Sequence, residues 1–338
     1  MSPIRESYWR LVQRYKTQFG KWHDSFKPLL YRGHLHGKHG CLAVEVDARI
    51  GFFAQMTWCL MILAHCEQQG LRPYLKLSTH LYADYLGENW LERFFDNLQL
   101  AETDRQLIAN GVIPVCHISE LEQLGLSPRY EAQMDIPSAH YLFSRYFRVN
   151  SAIQNYVDAY VQEYFAGRRV LGVHYRGTDK INEATPVSWD YCAETIANYL
   201  AANPETEMLF VASDEDEFVA HMKQQFNSIT VISHEDRHRS RDGRAVHVRP
   251  FEGSNHTKGW EALVNCLLLA RCHALIRTSS FLSAWASIFN PNLPVTMLDR
   301  PYHDKLWFPD REVAKKSCNE YLPTANKPFS KQDQALRR

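Results

Sequence analysis

From Arg169 onward the chain alternates short apolar runs with helix-length segments, and this alternation restricts the fold more than any other feature. Runs at 170–175, 208–212, 229–232, 245–249, 274–277 and 294–298 lack helical spacing and read as buried strands. Segments at 188–202, 215–226, 257–272 and 281–289 carry apolar residues at helical spacing. Strands separated by crossover helices run parallel, and a parallel sheet needs cover on both faces. The expectation is α/β, with the C-terminal half a doubly wound parallel sheet.

The first half carries the same grammar less regularly. Leu42 to Val46 alternates like a strand, Ile50 to Gln69 has helical spacing, and Leu71 to Leu77 reads as a second strand, which makes a βαβ start. Trp90 to Leu98 reads as a helix and Val112 to Cys116 as a short strand. In Val149 to Phe165, apolar residues at 153, 157, 160 and 164 behind a Ser151 cap predict a helix leading into the second half. A chain of 338 residues accommodates two domains. The division expected is 1–150, 151–300 and a tail, 301–338, packing back on the N-terminal domain.

Composition narrows the partners. Lysine plus arginine equal aspartate plus glutamate at 38 each, so no global field favours nucleic acid or an anionic membrane, and an anion would need a local site. Eight cysteines form no C-x-x-C pair and mostly lie in apolar segments, which suits reduced, buried thiols and a reducing compartment. No secretory h-region is visible, and Phe52 to Cys66 is shorter than the ~18 residues of a spanning helix. No integral membrane segment and a cytoplasmic location are expected. His34, His36 and His39 have no neighbouring carboxylate or cysteine to complete a metal site and read as a solvated loop. Asn255-His256-Thr257 matches a glycosylation sequon and reads as chance. The charged segment 235–244 reads as a mobile loop over a crevice.

Ligands of open α/β sheets collect outside the carboxyl ends of the strands. Three such ends carry polar groups here. The first is His174-Tyr175-Arg176, followed by Asp179 and Lys180, and the second is Ser213-Asp214. The third is Arg277-Thr278-Ser279-Ser280 at the start of a helix, where hydroxyls and unpaired backbone N–H groups suit a phosphate. An arginine fork would complete a diphosphate clamp. Singly, each is also an ordinary helix cap or loop charge. In the first half, Gly51 at the turn DARIGFFAQ could admit a ligand close to the backbone, with Gln55 and Arg49 beside it. No strand runs into a G-x-G-x-x-G fingerprint followed by a ribose-binding acid, which disfavours a dehydrogenase.

Taken in order, GVHYRGTDK, FVASDEDEF and KGWEALVNCLLLARCHALIRTSSFLSAWASIFNP resemble the three peptide motifs of the α-1,6-fucosyltransferase group. That group includes the rhizobial nodulation-factor fucosyltransferases and is related to the protein O-fucosyltransferases. The resemblance covers about residues 145 to 300. It implies a GT-B-like architecture of two Rossmann-type domains, with GDP-fucose on the C-terminal one and a glycan acceptor facing the N-terminal one. It also implies inverting transfer without a metal or cofactor. By position, Arg176 matches the arginine on the donor diphosphate, and His174 matches a donor-contacting histidine. Thr278, Ser279 and Ser280 fall in the phosphate turn, and Asp214 in the acidic second motif. Asn265 stands where some relatives carry an aspartate near the nucleotide. Lys180 and Glu183 lie near positions tied to acceptor activation.

Two departures bear on the donor. Relatives often carry a second arginine where this chain has Gly177, and Asn265 is neutral. Arg49 or Arg277 could supply the missing charge. Negative charge forming on the β-phosphate calls for a preorganised cation, and Arg176 is assigned that role. The acceptor hydroxyl must lose a proton, for which Glu183 is the first candidate base and Asp179 the second. Alternatives are the same fold with another nucleotide sugar, or a non-catalytic glycan-binding relative.

Overall fold

The structure, a computed structural model, describes residues 39–118, 134–177, 183–236, 238–239, 254–302 and 307–317. The first half builds a three-stranded parallel sheet in the order β2-β1-β4, from β1 (Cys41–Val46), β2 (Arg72–Leu77) and β4 (Val115–His117). Helix α1 (Phe52–Gln69) crosses from β1 to β2 and ends at Gly70, whose φ of 63° requires glycine and lets Leu71 N–H cap the Cys66 carbonyl at 2.8 Å. The segment expected as one helix, Trp90 to Leu98, divides. A single turn, α2 (Leu91–Phe94), gives way to β3 (Phe95–Asn97), which pairs antiparallel with β5 (Phe147–Val149). Between them lie α3 (Glu102–Ala109) and α4 (Ile136–Tyr146). The strand expected at 112–116 is observed at 115–117.

Helix α5 (Ser151–Tyr160) begins one residue earlier than its expected cap implies. Asn150, not Ser151, accepts the Ala152 N–H at 2.9 Å, and the helix widens into a π-helical turn over Val161–Phe165. The second half then follows the alternation read above. It comprises β6 (Val170–Tyr175), α6 (Trp189–Ala202), β7 (Met208–Ser213), α7 (Asp216–Gln225), β8 (Thr230–Ile232), α8 (Asn255–Ala270), β9 (Ala274–Arg277), α9 (Phe281–Phe289) and β10 (Val295–Met297). The five strands form one parallel sheet in the order β10-β9-β6-β7-β8. The run expected as a strand at 245–249 lies outside the described residues, as do His34 and His36.

Alternation along β6 decides which residues meet which layer. Leu171, Val173 and Tyr175 enter the core beneath α6 and α7. Val170 belongs to the opposite face, and Gly172 and His174 share its parity. There α8 approaches so closely that a Cβ on Gly172 would stand 3.1 Å from Cys272 Sγ and 3.2 Å from Leu269 Cδ2. The seven cysteines among the described residues are buried and in no disulfide, and burial pushes the thiols of Cys66 and Cys192 up to about 12.

The two parallel sheets share a continuous core. Trp285 of α9 packs on Phe53 of α1 and Phe143 of α4, with ring centroids 5.6 and 5.4 Å apart. Its indole N–H donates to Thr57 Oγ1 at 2.9 Å. His140 Nδ1 donates to the Ile288 carbonyl at 2.8 Å. At the other end of the contact, Asp84 accepts from Ser254 Oγ, and Asn255 Nδ2 donates to the His80 and Ala83 carbonyls. The sequon amide is therefore engaged in tying the halves together. In the described part of the tail, α10 (Asp310–Ser317) lies against β10 and α9. No helix among the described residues is long and apolar enough to cross a membrane.

Two substitutions test this packing. Gly172→Val overfills the β6–α8 contact and is expected to destabilise the fold by ~1–3 kcal/mol in urea unfolding. Thr57→Val leaves the Trp285 N–H buried without its acceptor, with an expected loss of ~1–3 kcal/mol by the same measurement.

Candidate active site

Strand order places the site. The chain enters the C-terminal sheet at β6, adds β7 and β8 on one side, and then returns to add β9 and β10 on the other. The direction of winding reverses between β6 and β9, where the connections part and leave a crevice outside the strand ends. His174 of β6 stands opposite Arg277 of β9, so the residues that follow each strand meet at that crevice. Arg176 N–H donates to Thr278 Oγ1 at 2.9 Å, and Thr278 N–H donates to the His174 carbonyl at 3.0 Å. Two of the three motif ends are thus locked to each other.

The third end joins them electrostatically. Arg176 Nε lies 4.0 Å from Asp214 Oδ2, with the side chains 22% and 15% exposed. That separation orients the guanidinium without a close hydrogen bond between these two atoms. Arg176 also acts on the N-terminal half. Burial pushes the Tyr82 phenol up, the Phe52 N–H and the charge of Arg176 oppose that rise, and Tyr82 Oη accepts the Phe52 N–H at 2.7 Å. The first turn of α1 and the segment after β2 therefore stand near the same guanidinium.

The Arg277–Ser280 turn is held from within the protein. Arg277 is 0% exposed; its Nε donates to the Thr278 carbonyl at 3.3 Å and its Nη2 to the Ser280 carbonyl at 3.0 Å and to Asp310. Asp310 thus meets the charge at Nη2, while Nη1 is buried with no hydrogen-bond partner among the described residues. Asp299, just beyond β10, accepts the Ser279 N–H on both carboxylate oxygens at 2.8 and 2.9 Å. Burial raises Asp299 to about 6; the Ser279 N–H and Arg277 oppose that rise, and Asp310 adds to it. Of the N–H groups expected to receive an anion, Ser279's is occupied by the protein's own carboxylate. The Ser279 side chain is buried beside Asp299, and Ser280 begins α9 without a side-chain cap.

A second polar wall follows along α8. Lys258, Glu261 and Asn265, at helical spacing, are buried, and burial lowers the pKa of Lys258. Asn265 Nδ2 donates to both oxygens of Asp236 at 2.9 Å, so an acid does stand beside position 265, supplied by the segment after β8. His234 Nδ1 donates to Asp236 at 2.6 Å, and His238 Nδ1 donates to Glu261 at 2.6 Å. Arg239 reaches Asp236 and Asp216, each at 3.4 Å, which links α8 to the end of β7.

The remaining candidates divide. No described side chain stands within 4 Å of a Cβ built on Gly51, so the turn faces open space. Gln55 is fully buried and its Nε2 supports the Ile50 carbonyl at 3.0 Å, which places it beneath the turn. Glu183 is half-buried, and its carbonyl accepts the Tyr302 N–H at 2.9 Å beyond β10. Asp179 and Lys180 lie outside the described residues. A side chain on Gly177 would meet the Glu215 carboxylate and stand 2.7 Å from the Tyr175 ring, so both would have to shift to admit one. Among the described residues no group of three or more His, Cys, Asp or Glu side chains is arranged to hold a metal ion.

Sequence reasoning missed Asp299, Asp310, Asp236 and Tyr82. Asp299 was within reach, because it ends a fourth strand as Asp214 ends the second. The others come from packing between distant segments and leave no local signal.

No protein-family model matches the chain, and no curated protein does. Solved structures similar to it include the fucosyltransferase NodZ from Bradyrhizobium, at 17% identity and a TM-score of 0.48, covering 72% of this chain and 92% of that one. POFUT1 in complex with GDP is similar at 10% identity and a TM-score of 0.44, covering 77% of this chain and 99% of that one. A mutant FUT1 from Arabidopsis thaliana in complex with GDP is similar at 12% identity and a TM-score of 0.45, covering 87% and 80%.

Proposed function

We propose that the chain is an inverting, metal-independent glycosyltransferase of the cytoplasm that moves fucose from GDP-fucose to a hydroxyl of a glycan or glycoconjugate. The observation that supports this most is the hydrogen bond of Arg176 N–H to Thr278 Oγ1 at 2.9 Å, across the switch point between β6 and β9. It brings a guanidinium and a serine-rich helix start to one crevice. The donor sugar and base rest on the resemblance of the three motifs.

In this reading the diphosphate lies between the Arg176 guanidinium and the Ser279–Ser280 start of α9. As the glycosyl–phosphate bond breaks, charge gathers on the β-phosphate, where the guanidinium and the α9 N–H groups stabilise it. Asp214 orients Arg176 from the side away from the phosphate. His174 lies deeper on the same strand face, toward α8, where a nucleoside can be held. The acceptor enters from the N-terminal half, and a carboxylate near its hydroxyl, Glu183 or Asp179, takes the proton. The neutral Asn265 and the closed space at Gly177 favour one second reading, the same chemistry with a different nucleotide sugar.

Two measurements test the proposal. In thermal-shift titrations without added metal, GDP is expected to raise the melting temperature and UDP and CDP to leave it unchanged, since selective binding stabilises the native state. A preference for UDP removes the fucose reading and keeps the fold. Arg176→Ala is expected to slow GDP release from GDP-fucose by about 10²–10³-fold, the usual cost of one transition-state donor. Arg176→Lys should recover little, because an ammonium lacks the planar fork.

A further inference from the structure

The buried side of the Arg277–Ser280 turn holds three charged groups that the proposed chemistry does not use. Burying ions is costly, and apolar side chains of similar volume fill such space at least as well, so charge placed here is not explained by stability. Its targets are specific. Arg277 donates to the carbonyls on either side of Ser279, those of Thr278 and Ser280, and is itself held by Asp310. Asp299 grips the Ser279 N–H between its two oxygens. Successive backbone groups of one turn are fixed in this way.

We infer that Asp299 and Asp310 are positioning residues for the donor diphosphate, Asp310 acting through Arg277 and Asp299 through the Ser279 N–H. Together they hold the start of α9 in the geometry that a phosphate requires. The inference rests on the donor reading above. Neither acid touches the ligand. Both are engaged by donors of the protein, Asp310 by the Arg277 guanidinium and Asp299 by the Ser279 N–H, and they act through the shape of the turn. Asp310 lies in α10, after the last strand, which makes the C-terminal helix part of the site without lining it.

The test compares two probes on the full chain, GDP and guanosine, which share a base and sugar and differ in the diphosphate. Asp310→Asn and Asp299→Asn are each expected to weaken GDP by about tenfold or more, the scale of a small misplacement at a positioned site, and to leave guanosine within about twofold. Asp310→Glu should restore part of the loss. Partial unfolding would weaken GDP and guanosine alike, and Asp299→Asn leaves the Arg277–Asp310 pair in place should Asp310→Asn fold poorly. Unchanged GDP affinity, or equal losses for GDP and guanosine, overturns the inference while the donor reading stands. Failure of the unsubstituted protein to bind GDP overturns both.

Discussion

The pairing of β6 with β9 is the contact on which the rest depends. These strands are 103 residues apart where His174 meets Arg277, and the register between them sets what stands at the crevice. A slip of one residue would turn His174 from the α8 side of the sheet to the α6 and α7 side and would separate Arg176 N–H from Thr278 Oγ1. Burial on both faces resists such a slip. Leu171, Val173 and Tyr175 fill one layer, and Gly172 admits α8 so closely on the other that no larger residue fits unshifted. The site's geometry is therefore a by-product of core packing.

The N-terminal half contributes a wall and a brace. Trp285, bonded to Thr57 and packed on Phe53 and Phe143, fixes α9 against α1 and α4, so the helix that starts at Ser280 is anchored along its length. At the far end, Gly259 of α8 sits against Phe94, where a Cβ would lie 2.7 Å from the ring. Both helices that lead into or out of β9 are thus pinned by residues of the first half. A crevice bounded in this way is preorganised, and preorganisation is where electrostatic catalysis draws its energy.

How much of this was legible in the sequence follows from the range of the interactions. Strands buried on both faces announce themselves as apolar runs, so β6, β7 and β9 were readable, and with them the residues at their ends. Phe95 misled because its strand is imposed by pairing with Phe147–Val149, its own partner Val149 lying 54 residues on, and not by local propensity. Asn150 and Ser151 are both competent caps, and only the hydrogen bond to Ala152 distinguishes them. Gln55 had the right address beside a turn and the wrong depth. Asp310 could not be found at all, since nothing near it marks Arg277 as its partner.

The Gly177 position joins packing to chemistry. Its space is taken by the Glu215 carboxylate and the Tyr175 ring, which itself stacks on Phe218 at 4.3 Å, so the ring cannot yield without disturbing α7. A side chain at 177 would therefore require both the Glu215 carboxylate and the Tyr175 ring of β6 to shift. Arg277 is buried, and Asp310 and two carbonyls engage its Nε and Nη2. In the proposed reaction the developing charge on the phosphate must then be met by Arg176 and the start of α9. Helix N–H groups act strongly only over a short distance and in a fixed direction. A site with one forward cation consequently depends more on the exact setting of its turn than a site with two, which is why charged residues beneath Ser279 are worth their burial.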